Sequence, residues 1–128
     1  MADNQPISIS NSEWAILEAL WTQAPQTATQ LVRAMEGQMG WAPSTTKTLI
    51  SRLERKGCLR YEMGSRARLY YPTLNRTEVA LEETKHFLRR VYQGRLGLLV
   101  NAMVDQESLT HEEIDELRTI LEKAEEGS

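Results

Sequence analysis

Trp41-Ala-Pro-Ser-Thr-Thr-Lys-Thr-Leu-Ile-Ser-Arg-Leu-Glu-Arg-Lys-Gly57 runs, one cysteine later, into Leu59-Arg-Tyr-Glu-Met-Gly-Ser-Arg-Ala-Arg-Leu-Tyr-Tyr-Pro72. The first stretch carries Thr46, Leu49, Ile50 and Leu53 at helical spacing, with serine, threonine, lysine and arginine on the other side. Pro43 suits the first helical position and Gly57 the left-handed stop. Ala42, at the N-cap, has no oxygen to cap with, so Ser44 is expected to take that role one residue later. The second stretch reads as two short strands, 59–63 and 68–72, about the turn Gly64-Ser-Arg-Ala67. A polar helix, a glycine stop and an arginine-bearing hairpin, in that order, are the layout of a winged helix-turn-helix: one helix for a major groove, one wing for the backbone.

Upstream, Ser10-Asn-Ser-Glu13 is a capping box that opens a helix through Trp14, Leu17, Leu20 and Trp21 to about Thr22. Ala24-Pro25 breaks it. Thr27 and Gln30 form a second box. Leu31, Val32 and Met35 give the next helix its apolar side, and Gly37 and Gly40 are expected to end it. Downstream, residues 77–92 read as a charged amphipathic helix, interrupted by Gly94 and Gly97. A dense apolar stretch follows, with Leu96, Leu99, Val100 and Met103. Thr110-His-Glu-Glu113 opens a last helix carrying Ile114, Leu117 and Leu121, with Leu109 just before it. The fold class expected is mainly α with a small β-wing. A winged-helix domain spans 7–74 and a helical dimerisation region 75–124. The second region cannot bury its own leucines, so those eight positions are assigned to contact with a second copy of the chain.

Charge localises the function. The net charge of −3 conceals eight basic against two acidic side chains in residues 44–76, a surplus of six, with acidic segments on both sides. A basic patch on an acidic chain is the footprint of a single binding face. The residues assigned to it are Ser44, Thr45, Lys47, Thr48, Ser51, Arg52 and Arg55 on the helix and Arg66 and Arg68 in the wing. Lysine and arginine suit guanine edges and phosphates, and threonine offers a hydroxyl together with a methyl for thymine. The partner expected is double-stranded DNA carrying a dyad.

Other classes lack their residues. No nucleophile–base constellation or Gly-rich phosphate loop stands out, so an enzyme is not expected. His86 and His111 have no ligand partners at metal spacing, and no cofactor is expected. Trp14 and Trp21, a heptad apart, read as core rather than as a ligand cage. Cys58 reads as a buried apolar residue. A lone thiol, an N-terminus without an apolar leader and the absence of a membrane-length apolar run point to the cytoplasm, with no membrane partner. Two further readings remain open: a winged-helix protein-interaction module, and a repressor released by a small molecule.

Ile9-Ser-Asn-Ser-Glu-Trp-Ala-Ile-Leu-Glu-Ala-Leu-Trp21, Thr48-Leu-Ile-Ser-Arg-Leu-Glu-Arg-Lys-Gly57 and Tyr70-Tyr-Pro72 resemble the penicillinase-repressor family, the BlaI/MecI/CopY group. Val91-Tyr-Gln-Gly-Arg95 and Leu109-Thr-His-Glu-Glu-Ile-Asp-Glu-Leu-Arg118 look like its dimerisation helices. The resemblance implies a bacterial homodimeric repressor of β-lactam-resistance-type or other stress genes. It also implies release by a regulatory protease at the bond corresponding to Asn101–Ala102, where alanine stands in place of the family's phenylalanine. The copper-responsive branch uses C-terminal Cys-x-Cys motifs; this chain has one cysteine.

Overall fold

The computed structural model describes residues 8–127; residue 7 and the N-terminal segment read for a leader lie outside them. Six helices and one hairpin follow in the order α1 (Asn11–Thr22), α2 (Ala28–Met39), α3 (Pro43–Arg55), β1 (Leu59–Met63), β2 (Arg68–Pro72), α4 (Arg76–Tyr92), α5 (Leu96–Asp105) and α6 (His111–Glu126). The chain divides into two compact units, residues 1–82 and 83–128, with α4 running through the division.

Helix starts follow their caps. Ser10, Thr27 and Thr110 each accept a hydrogen bond from the backbone of the residue three on, whose own side chain answers to the cap's amide, three complete capping boxes. At α4, Asn75 Oδ1 accepts from the Glu78 amide at 3.1 Å, which starts the helix one residue before the expected Thr77. The N-cap of α3 is Ala42 with no side-chain hydrogen bond, so the expected takeover by Ser44 does not occur. Gly37 does not stop α2 either. It lies inside the helix with open space about its Cα, and Gly40, at φ 69°, is the cap. Gly57, at φ 81°, closes α3 as expected. Its amide donates to Glu54 O and the Cys58 amide to Leu53 O, the paired bonds of a Schellman turn.

The core of the first unit takes Ile16, Leu17 and Leu20 from α1, Leu31 and Met35 from α2, Leu49, Ile50 and Leu53 from α3, and Cys58, Leu59 and Tyr70 from the hairpin. These are the apolar positions the helical periods put on one side. Trp14 and Trp21 stack edge-to-face at 5.2 Å, but both are half-buried, so they seal the margin of the core and do not fill it. The β1 and β2 strands pair antiparallel with Tyr61 opposite Tyr70 and Met63 opposite Arg68. The Tyr70 backbone also exchanges both its hydrogen bonds with Gln26, which roots the wing just ahead of α2. At the hairpin base Thr73 Oγ1 donates to Gly57 O at 2.6 Å and the Thr73 amide to Cys58 O at 3.0 Å.

In α4, α5 and α6 no described residue is buried. Among the described residues no helix is long and apolar enough to cross a membrane.

Candidate nucleic-acid interface

The core positions α3 by four anchors, Thr46, Leu49, Ile50 and Leu53, all buried. With these turned inward, the helical period leaves Ser44, Thr45, Lys47, Thr48, Ser51, Arg52 and Arg55 exposed. Ser44, Thr45, Thr48 and Arg52 line a shallow hollow of ≈ 270 Å³ with Leu49 at its floor. All seven helix residues assigned from sequence therefore lie on one solvent face.

A buried ion pair holds the far end of α3. Lys56 Nζ donates to Glu13 Oε1 at 2.7 Å and to the Ser8 carbonyl at 2.7 Å. The Glu13 side chain is 1% exposed and that of Lys56 33%. Burial pushes the Glu13 carboxyl up, but the hydrogen bonds from Lys56 and from the Ser10 amide outweigh it and hold the group below its ordinary value. Glu13 thus serves two ends at once: it completes the cap of α1 and ties α1 to the C-cap of α3.

This pairing revises the charge count. Lys56 and Arg76, two of the eight basic residues counted between 44 and 76, are bound to Glu13 and Glu18 of α1. Arg60 lies 4.1 Å over the Tyr71 ring and pairs with Glu62 at 3.2 Å. Among the described residues Lys47, Arg52, Arg55 and Arg66 carry no ion pair, and all four belong to the assigned face. Within residues 44–76, free positive charge is thus narrower than the sequence count and lies on α3 and the wing turn.

The two wing arginines differ. Arg66 sits exposed in the turn between the strands. Arg68, the first residue of β2, lies 4.2 Å over the Tyr61 ring, with its guanidinium 4.0 Å from Glu54 of α3. A side-chain hydrogen bond with Tyr70, with the Glu54 carboxylate nearby, holds its proton more firmly than usual. Sequence reading missed Tyr61 and Tyr71 as stacking platforms. The signal was the hairpin register, which sets aromatic rings beside arginines once the turn length is fixed.

Cys58 is fully buried, and burial pushes its thiol up against the pull of Lys56. In the second unit Leu96 and Leu121 are 58% and 61% exposed within the protomer, Met103 and Leu117 are also exposed, and Leu99, Val100, Leu109 and Ile114 are half-buried. Asn101 and Ala102 lie in the middle of α5, Asn101 exposed.

Solved structures share this architecture. The DNA-binding domain of the repressor BlaI matches over 58% of this chain and 90% of its own, with 22% identity and a TM-score of 0.53. Monomeric BlaI of Bacillus licheniformis in complex with the blaP half-operator matches over the same shares, with 22% identity and a TM-score of 0.52. MepR, a transcription regulator of a Staphylococcus aureus multidrug efflux pump, covers 94% of the chain at 20% identity and a TM-score of 0.52. These likenesses show the winged-helix fold. By sequence, the methicillin resistance regulatory protein MecI of Staphylococcus aureus is 32% identical over 121 residues, 94% of this chain and 98% of its own. The penicillinase repressor of Bacillus licheniformis is 28% identical over 115 residues, 90% of each chain. The penicillinase-repressor family model matches residues 9–123, and the chain therefore belongs to that family of winged-helix DNA-binding repressors.

Proposed function

We propose that this protein is a cytoplasmic, homodimeric transcriptional repressor that reads a dyad operator, each protomer laying α3 in a major groove. The observation that carries the reading is the exposed face of α3: from Ser44 to Arg55 it consists of serine, threonine, lysine and arginine, with no ion pair on any of its cations among the described residues. A protein-docking face would present apolar side chains there. Lys47 and Arg52 take guanine edges or phosphates, Thr45 and Thr48 meet base edges, and Ser44, Ser51 and Arg55 meet phosphates. Arg66 reaches the backbone or minor groove directly, and Arg68 does so once it leaves Glu54.

The exposed leucines of the second unit support pairing with a second copy, which joins two half-sites. The names of the relatives point to resistance genes as the class of target. Release by a protease at Asn101–Ala102 would remove α6 and leave each half-site to bind alone. Because that bond lies within α5, cleavage requires the helix to unwind locally first.

The test is selection of bound sequences from a random double-stranded DNA pool, with wild type and a Lys47→Ala/Arg52→Ala variant in parallel. Wild type is expected to enrich a dyad that the variant loses. Affinity for that dyad is expected to fall with salt by about 0.9 in log K per log unit for each phosphate neutralised. No enrichment at low salt would overturn the reading in favour of a docking module.

A further inference from the structure

The start of α4 is bound to α1 by more contacts than a linker needs. Arg76, its first residue, places Nε 2.7 Å from Glu18 Oε1 and a terminal nitrogen 3.0 Å from Glu18 Oε2, a two-pronged ion pair between residues 58 apart in sequence. Glu18 is itself braced by Trp14 Nε1, which donates to Oε2 at 3.1 Å. One helical turn on, Trp21 Nε1 donates to the Leu74 carbonyl at 2.9 Å, just before the Asn75 cap. Arg76 lies 5.8 Å over the Trp14 ring, and the two tryptophans stack on each other. Two indole N–H groups, a carboxylate and a guanidinium thus fix both the last loop residues and the first turn of α4 against α1.

We infer that the Glu18–Arg76 joint is a positioning device for operator spacing: by fixing the direction in which α4 leaves the DNA-reading unit, it sets the distance and rotation between the two α3 helices of a dimer. The inference rests on the proposed dimer on a dyad. The physical ground is that α4 is one unbroken helix from Arg76 to Tyr92, and a helix carries the orientation of its first turn along its length. A two-pronged arginine–carboxylate pair fixes angle as well as distance, which a single hydrogen bond does not. Each base pair inserted between half-sites rotates one against the other by about 35°. A stiff joint penalises that rotation; a loose one follows it. Arg76 itself has no part in the DNA contacts proposed above.

The experiment uses the full-length chain and three kinds of duplex made from the dyad that selection returns: the parent, its single half-site, and versions with one or two base pairs inserted or removed at the centre. Arg76→Ala is expected to bind the half-site within about twofold of wild type and the parent dyad about tenfold more weakly, because the second half-site is no longer held at its best effective concentration. Its preference among spacings is expected to flatten. Arg76→Lys, which keeps the charge and loses the fork, is expected to flatten it partly, and Glu18→Gln, which alters the other side of the joint and makes no DNA contact, to reproduce the Arg76→Ala profile. Equal losses on half-site and dyad, with a shallower salt slope, would make Arg76 a phosphate contact and overturn the inference. So would wild-type spacing preference in Glu18→Gln. If wild type enriches no dyad, the dimer reading itself has failed; if wild type shows a sharp spacing preference that Arg76→Ala and Glu18→Gln retain, the joint alone has failed.

Discussion

Replacing Lys56 by methionine removes one charge, keeps most of the side chain's stem, and leaves Glu13 buried with the Ser10 amide as its remaining partner among the hydrogen bonds described. Breaking a buried ion pair from one side costs about 3–5 kcal/mol. A third of the Lys56 side chain is in water, which moves the cost toward about 2–3 kcal/mol. The sign of the pH dependence is the sharper expectation. In wild type the folded carboxyl is held low, so its stabilising contribution is complete above the unfolded glutamate value of about 4.3 and fades as pH falls through the lowered folded value. Without Lys56, burial is left as the main influence and raises the folded value; ionised Glu13 then costs stability as pH rises past the unfolded value. The gap between the proteins is therefore widest at pH 7 and closes only once pH has fallen below the lowered folded value. Urea titration followed by tryptophan fluorescence reads it, since Trp14, Trp21 and Trp41 all lie in the first unit. A loss below about 0.5 kcal/mol at pH 7, the range of ordinary surface changes, would refute the reasoning. So would a loss that does not shrink as pH falls below the lowered folded value.

Thr46→Val tests the opposite case. The Thr46 hydroxyl is buried on α3 with no hydrogen-bond partner among the described residues, so a methyl of the same shape is expected to stabilise by about 1 kcal/mol in the same titration, and destabilisation would refute that expectation. Leu117→Glu combined with Leu121→Glu on α6 is expected to yield monomers by sedimentation while the tryptophan-monitored unfolding of the first unit stays unchanged; an intact dimer would remove α6 from the interface. The Cys58 thiol, buried and pushed up, is expected to react with an aromatic disulfide reagent at neutral pH only as fast as the domain opens, and to react at once in urea; fast reaction in the native protein would contradict its burial.

What the sequence disclosed was local. Pro43, Gly57, the three capping boxes and the Gly64–Ala67 turn each act within a few residues, so their chemistry fixes element ends without knowledge of the rest. The outward face of α3 was legible for the same reason: one helical period separates its anchors from its serines, threonines and basic residues. Partners distant in sequence were not legible. Lys56 and Arg76 count as free basic charge in any local window, and only the packing of α1 against residues 43 and 58 positions further on reveals that they are spent on Glu13 and Glu18. Gly37 misled because a glycine permits a left-handed turn without requiring one; inside α2 nothing presses on its Cα, and the next glycine, Gly40, supplies the cap. The half-burial of Trp14 and Trp21 escaped notice because periodicity assigns a side to a residue and not a depth.

The anchoring of Tyr70 to Gln26 has a consequence for how the wing keeps its own company. Because β2 is paired on one side with β1 and on the other with Gln26, the hairpin's open flank falls on β1, whose outward backbone groups would accept a further strand from a neighbouring molecule. That flank is five residues long and carries Arg60 and Glu62, and a strand laid beside it would have to strip water from both charges. Chains crowded together on adjacent sites along DNA therefore have little tendency to zip together through their wings, so the hairpin edge does not compete with the pairing proposed above for the second unit.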